Sequence, residues 1–84
     1  MITVATTPGC QQCRATIKRL TNAGHPPRTT NYQEDKTAQA IAIRNNWTSA
    51  PVVYATTNNG DVVHSWHGYN PHAIDLAIQA GLSN

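Results

Sequence analysis

Phenylalanine is absent from this chain, and the only aromatic residues are two Trp and three Tyr. An apolar interior must therefore be assembled from Ile, Val, Leu and Ala, which makes a thin core but a workable one. Charge is scarce as well, with six Lys and Arg against four Asp and Glu, 12% of all residues. A nucleic-acid footprint needs Lys and Arg gathered on one face, and no such cluster occurs. Long apolar runs are missing, whereas a membrane span needs about 20 consecutive apolar residues. No charged segment followed by an apolar one precedes the first strand-like stretch, so no secretory leader is expected. Repeats and low-complexity linkers are missing too. The 84 residues have room for one domain, 1–84, since single domains run about 100 to 150 residues. The expectation is a cytoplasmic monomer, in the host cytoplasm if the gene is viral, that binds neither nucleic acid nor membrane.

Cysteine is as sparse as charge: two residues, Cys10 and Cys13, both inside "TPGCQQC". In a compartment that keeps thiols reduced, such a pair is more often catalytic or metal-binding than structural. A bridge across so few residues also removes little chain entropy from the unfolded state. Zinc takes four ligands, and the available nitrogens are His25, His64, His67 and His72. Of these only His67 and His72 have finger-like spacing, so a zinc-binding module stands as an alternative. Haem attachment of the C-x-x-C-H kind is excluded by Arg14.

Periodicity supplies the elements. Met1 to Ala5 is β-rich and stops at the turn cluster Thr6, Thr7, Pro8 and Gly9. From Gln11 to Ala23 the residues Cys13, Ile17 and Leu20 recur at helical spacing, with Arg14, Lys18 and Arg19 off that line and Gly24 as the stop. His25 to Tyr32 leaves a Pro-Pro turn and enters a weakly signalled polar strand. A second helix is predicted over Gln33 to Asn46, with Glu34 and Asp35 in its first turn, Ala38, Ile41 and Ala42 inward, and Asn46 as a left-handed cap. Ala50 to Ala55 and Asp61 to Trp66 are β-branched runs joined by a turn at Asn59-Gly60, hence an antiparallel hairpin. Asn70 caps the last helix, Pro71 suits its first position and Gly81 ends it. The order β-α-β-α-β-β-α predicts an α/β fold, a small mixed four-stranded sheet flanked by three helices.

That order puts Cys10 at a helix start. Unpaired N–H groups and the helix dipole favour an anion there, and they lower a thiol from ~8.5 into the range ~3.5 to 7.5. Cys13, on the inward face, stays shielded. The predicted chemistry is exchange: Cys10 attacks a partner disulfide and Cys13 resolves the mixed disulfide, leaving a redox-active Cys10–Cys13 disulfide and no bound cofactor.

Three segments, "MITVATTPGCQQC", "APVV" and "SWHGYNPHAI", resemble in order and spacing the NrdH redoxins, glutaredoxin-like proteins of thioredoxin fold that donate electrons to class Ib ribonucleotide reductase. The resemblance covers nearly the whole chain. A Thr-x-x-x-Cys-x-Gln-Cys stretch is matched by Thr6, Cys10, Gln12 and Cys13. Pro51 matches a cis proline that faces the cysteines, and Trp66, Gly68 and Pro71 match a Trp-Ser-Gly-Phe-Arg-Pro signature. His67, Tyr69 and Asn70 depart from it, and Thr7 stands where a basic residue is usual. The resemblance implies recharging by thioredoxin reductase, with NADPH used indirectly through that reductase, and ribonucleotide reductase or another disulfide-containing protein as target. A glutathione-coupled glutaredoxin is the alternative, although the Gly-Gly-x-Asp-Asp-like stretch expected of it is replaced by "WHGYNPH".

Partner contact is expected from Thr7, Pro8, Gln11, Gln12, Ala50, Pro51, Trp66, His67, Gly68 and Tyr69. A cis Pro51 would present the backbone of the preceding residue to an extended peptide. Gly68 either admits a partner backbone or supplies positive φ. Trp66 suits both an active-site flank and a core without Phe. Trp47 is expected to pack, His25 and His72 to be solvated, and Arg14, Lys18 and Arg19 to form a basic face.

Overall fold

The computed structural model describes residues 1–82. Its order is β1 (Ile2–Thr6), α1 (Gln11–Asn22), β2 (Arg28–Asn31), α2 (Lys36–Asn45), β3 (Val52–Thr56), β4 (Val62–His67) and α3 (Pro71–Gln79). The sheet runs β2-β1-β3-β4, with β1 parallel to β2 and antiparallel to β3, and β3 antiparallel to β4. This is the mixed sheet with three helices that the sequence order predicts.

Strand alternation divides the interior into two cores. Ile2, Val4, Val53, Ala55 and Trp66 face α1 and α3, where Leu20, Ala73, Ile74 and Ala77 close the layer. Ala5, Val52 and Tyr54 face the other way, against Ala38, Ile41 and Ala42 of α2. Successive side chains of a strand point to opposite faces, so central strands covered on both sides must be apolar throughout. β1 and β3 are largely so, with Thr3 of β1 a buried polar exception, and complete burial of a side chain such as Leu20 or Ile74 stabilises the fold by about 1.5 to 3 kcal/mol. Neither edge needs that character. β2 is the polar RTTN, mostly exposed, and its weak sequence signal follows from its place at the edge.

Two expectations change. The second helix begins at Lys36, not Gln33, and Asp35 is its N-cap rather than a first-turn acid: its carboxylate accepts the Ala38 N–H at 3.0 Å. The same carboxylate accepts the hydroxyls of Thr30 and Tyr54, each at 2.7 Å, tying β2, α2 and β3 together. Burial pushes the Asp35 carboxyl up, but its hydrogen bonds outweigh that and hold it below its ordinary value. Burial, then the bond to Asp35, pushes the Tyr54 hydroxyl up to about 12. Trp66 is the second correction. At 4% exposure it belongs to the core, and is no partner contact: in a chain without Phe, its ring supplies the bulk under α1 and α3.

Asn46 does adopt the left-handed conformation at the end of α2, φ 58°. Among the described residues no helix is long and apolar enough to cross a membrane.

Candidate active site

β1 delivers the chain to a turn, Thr7 to Gly9, in which Gly9 takes φ 69°. Cys10 follows as the N-cap of α1 in extended conformation, φ −87° and ψ 107°. Its sulfur accepts the backbone N–H of Cys13 at 3.0 Å, as a cap oxygen would. No acidic residue lies in the first turn of α1 to oppose negative charge there. The two cysteines are joined as a disulfide with Cα atoms 5.2 Å apart. Their surroundings differ: Cys10 is half-buried, whereas Cys13 is 3% exposed and lies on the inward face with Thr16 and Leu20. Thr16, which sequence reading passed over, is fully buried and donates its hydroxyl to the Gln12 carbonyl at 2.8 Å. A lone Thr on an apolar face is visible in the periodicity, but its partner is not.

Pro51 follows a cis peptide bond and is fully buried. Antiparallel register sets Val52 opposite Ala5, so the next steps bring Pro51 and Ala50 beside Thr6 and Thr7, at the end of β1 that leads to the cysteines. The Pro51 carbonyl accepts the N–H of Gly68 at 2.9 Å. The next N–H, of Tyr69, donates to the side-chain carbonyl of Gln12 at 2.9 Å. The loop after β4 is thereby tied to both the proline and α1. Gly68 is required twice over. Its φ is 72°, and a Cβ there would stand 2.9 Å from Gln12 Oε1. The close approach at Gly68 is thus made by the Gln12 side chain, whose amide carbonyl is engaged by the Tyr69 N–H.

Of the remaining expected contacts, Pro8, Gln11, His67 and Tyr69 are exposed, while Thr7 and Ala50 are half-buried in the wall of one cleft. The His67 ring stacks on Trp47 at 4.7 Å centroid distance and 18° tilt, and its Nδ1 is 3.0 Å from the Ser49 hydroxyl. The expected basic face is partly neutralised, because Arg19 forms a forked pair with Asp75 of α3 at 3.1 and 3.2 Å. Among the described residues no three His, Cys, Asp or Glu side chains gather to hold a metal.

Residues 2–62 match the glutaredoxin family. The solved structure of the glutaredoxin-like protein NrdH-redoxin from Escherichia coli, described as having a thioredoxin-like activity profile, superposes with a TM-score of 0.69 at 31% identity, covering 89% of this chain and 91% of that one. No curated protein sequence matches. The chain thus belongs to the glutaredoxin family, among its NrdH-type redoxins, and is a thiol-disulfide oxidoreductase.

Proposed function

We propose that Cys10 is the nucleophile and Cys13 the resolving thiol of a protein disulfide reductase, recharged by thioredoxin reductase and serving ribonucleotide reductase. The observation that carries the assignment is the asymmetry of the pair: the Cys10 sulfur caps α1 and accepts an N–H at 3.0 Å, while Cys13 is buried. A thiolate is stabilised in the first position and disfavoured in the second.

In the forward step the Cys10 thiolate attacks one sulfur of the target disulfide. That S–S bond breaks, a Cys10–target bond forms and the target's other sulfur leaves as thiolate. Cys13 then gives up its proton and attacks the Cys10 sulfur. The second target sulfur leaves, the target holds two thiols and the protein holds the Cys10–Cys13 disulfide. Two electrons have moved to the target. The reverse exchange with a reductase dithiol, itself reduced by NADPH, restores the pair.

The electron source is supported by the likeness to NrdH-redoxin and by Asn70, whose side chain caps α3 through the Ala73 N–H at 3.1 Å. A neutral capping amide there leaves no acidic pair for the amino end of glutathione. The test supplies NADPH with thioredoxin reductase, or with glutathione and its reductase, and follows reduction of a protein disulfide. Turnover in the first mixture, its loss in Cys10→Ser and a trapped mixed disulfide in Cys13→Ser are expected. Turnover with glutathione alone overturns the electron source, and an active Cys10→Ser overturns the mechanism.

A further inference from the structure

At the sheet end that carries the cysteines, a cleft of about 110 Å³ opens between β1, β2 and the loop before Pro51. Three neighbouring strands define it. Thr7 continues β1, Tyr32 follows β2 and donates its N–H to the Thr6 carbonyl at 2.9 Å, and Ala50 precedes the cis proline. The rings of Tyr32 and Trp47 and the side chain of Val52 give it an apolar lining, and the polar groups at its mouth are hydroxyls, Thr7 and Ser49 among them. None of its lining residues is charged. Among the described residues Ala50 makes none of the loop's backbone hydrogen bonds, and it lies outside the strand ladder.

We propose that this cleft takes one uncharged apolar side chain of the target, two residues from the target cysteine, and that His67 sets the cleft's shape by fixing Trp47. The inference rests on the disulfide-reductase reading above. A target segment extended along Ala50 places side chains alternately toward and away from the protein, so the residue two positions from the attacked cysteine shares its side and falls over the cleft. A carboxylate or ammonium there would lose its hydration with no opposite charge to meet it. The small volume admits a single side chain. His67 holds the wall in place through two contacts, the stacked ring and the bond to Ser49, which link the end of β4 to the loop before Pro51. It acts through Trp47, as a positioning residue. His67 is also one of the departures from the signature this chain otherwise resembles, so the preference belongs to this sequence.

The test uses acetylated, amidated pentapeptides X-Gly-Cys-Gly-X, each joined by a disulfide to 5-thio-2-nitrobenzoate, with X as Leu, Phe, Ala or Asp. Release of the coloured thiol by the reduced protein is followed over a range of peptide concentrations. The Leu or Phe peptide should exceed the Ala peptide about tenfold in kcat/KM, the discrimination that one apolar side chain in a pocket gives, and the Asp peptide should fall below Ala. Trp47→Ala and His67→Ala should shrink the Leu-to-Ala ratio, and His67→Phe, which keeps a stacking ring, should restore most of it. Should Trp47→Ala not fold, the His67 pair alone decides. Equal rates on all four peptides overturn the cleft, while reduction itself stands. An unchanged ratio in His67→Ala overturns the positioning role. No release from any peptide removes this inference together with the reductase reading.

Discussion

Single positions around the cysteines differ in what they demand of their residue. Gly68 demands the most, since a side chain there meets both a strained backbone and Gln12 Oε1 at 2.9 Å. The obstructing atom is the end of a flexible side chain, so Gly68→Ala is relieved when Gln12 swings away and gives up its bond to the Tyr69 N–H. The expected cost is about 1 to 2 kcal/mol for the left-handed conformation and about 1 kcal/mol for the hydrogen bond. Gln12→Ala alone should cost only the second. Because the glycine variant has already lost that bond, the two changes together should cost about 1 kcal/mol less than their sum, as read from urea denaturation. Full additivity would show that Gln12 does not hold the loop. None of this coupling was legible in "CQQC", where Gln11 and Gln12 look alike. The structure separates them because one faces the loop after β4, which lies dozens of residues away in the chain.

Among the elements, α2 depends most on one side chain. Asp35 caps it and receives Thr30 and Tyr54 as well. Asp35→Ala should lower stability by about 2 kcal/mol, the sum of a lost cap of about 1 kcal/mol and buried hydroxyls left without acceptor at about 1 kcal/mol or more. The pH dependence has two arms. The Asp35 carboxyl is held below its ordinary 3.8, so its contribution is complete above that value and is lost as pH falls through the lower folded one. The Tyr54 hydroxyl is raised from 10.0 to about 12, so its contribution is complete below pH 10 and is lost as pH rises toward 12. The stability difference between the protein and Tyr54→Phe should therefore be constant near neutrality and shrink across that alkaline interval, by denaturant unfolding at each pH. A difference that stays constant through pH 12 would show that burial and the bond to Asp35 do not hold Tyr54 protonated. Glu34-Asp35 in the sequence suggested first-turn acids. Cap and first turn differ by one or two residues, and only the bond to the Ala38 N–H separates them.

At the scale of the whole molecule, one sheet carries two unequal cores, and α1 and α3 share one face of it. Their surface link is the Arg19–Asp75 pair, whose side chains are 40% and 51% exposed. Such an exposed pair is screened by solvent and contributes little, so Asp75→Asn should shift the unfolding midpoint only slightly and the shift should fade in high salt. A large drop in the midpoint that persists in high salt would mean that the pair organises the packing of the two helices.

Much of this protein was decided along the chain itself. The turn cluster after Ala5, the helical spacing of Cys13, Ile17 and Leu20, Asn59-Gly60 and Asn70-Pro71 are local signals, and local backbone preference is enough to read them. The placement of Cys10 at a helix N-terminus is equally local, since it needs only a strand, a turn and a helix in succession. What required the tertiary structure was every relation between distant segments: Trp66 in the core, Gln12 under the loop after β4, Arg19 against Asp75 and His67 on Trp47. The last three of these join residues 20 to 57 positions apart, and periodicity says which face of an element is apolar but not which neighbour meets it. The two thiols could be assigned their chemistry from the sequence. The cleft in which a target would meet them exists only because sheet register brings Thr7, Tyr32 and Ala50 to one end of the fold.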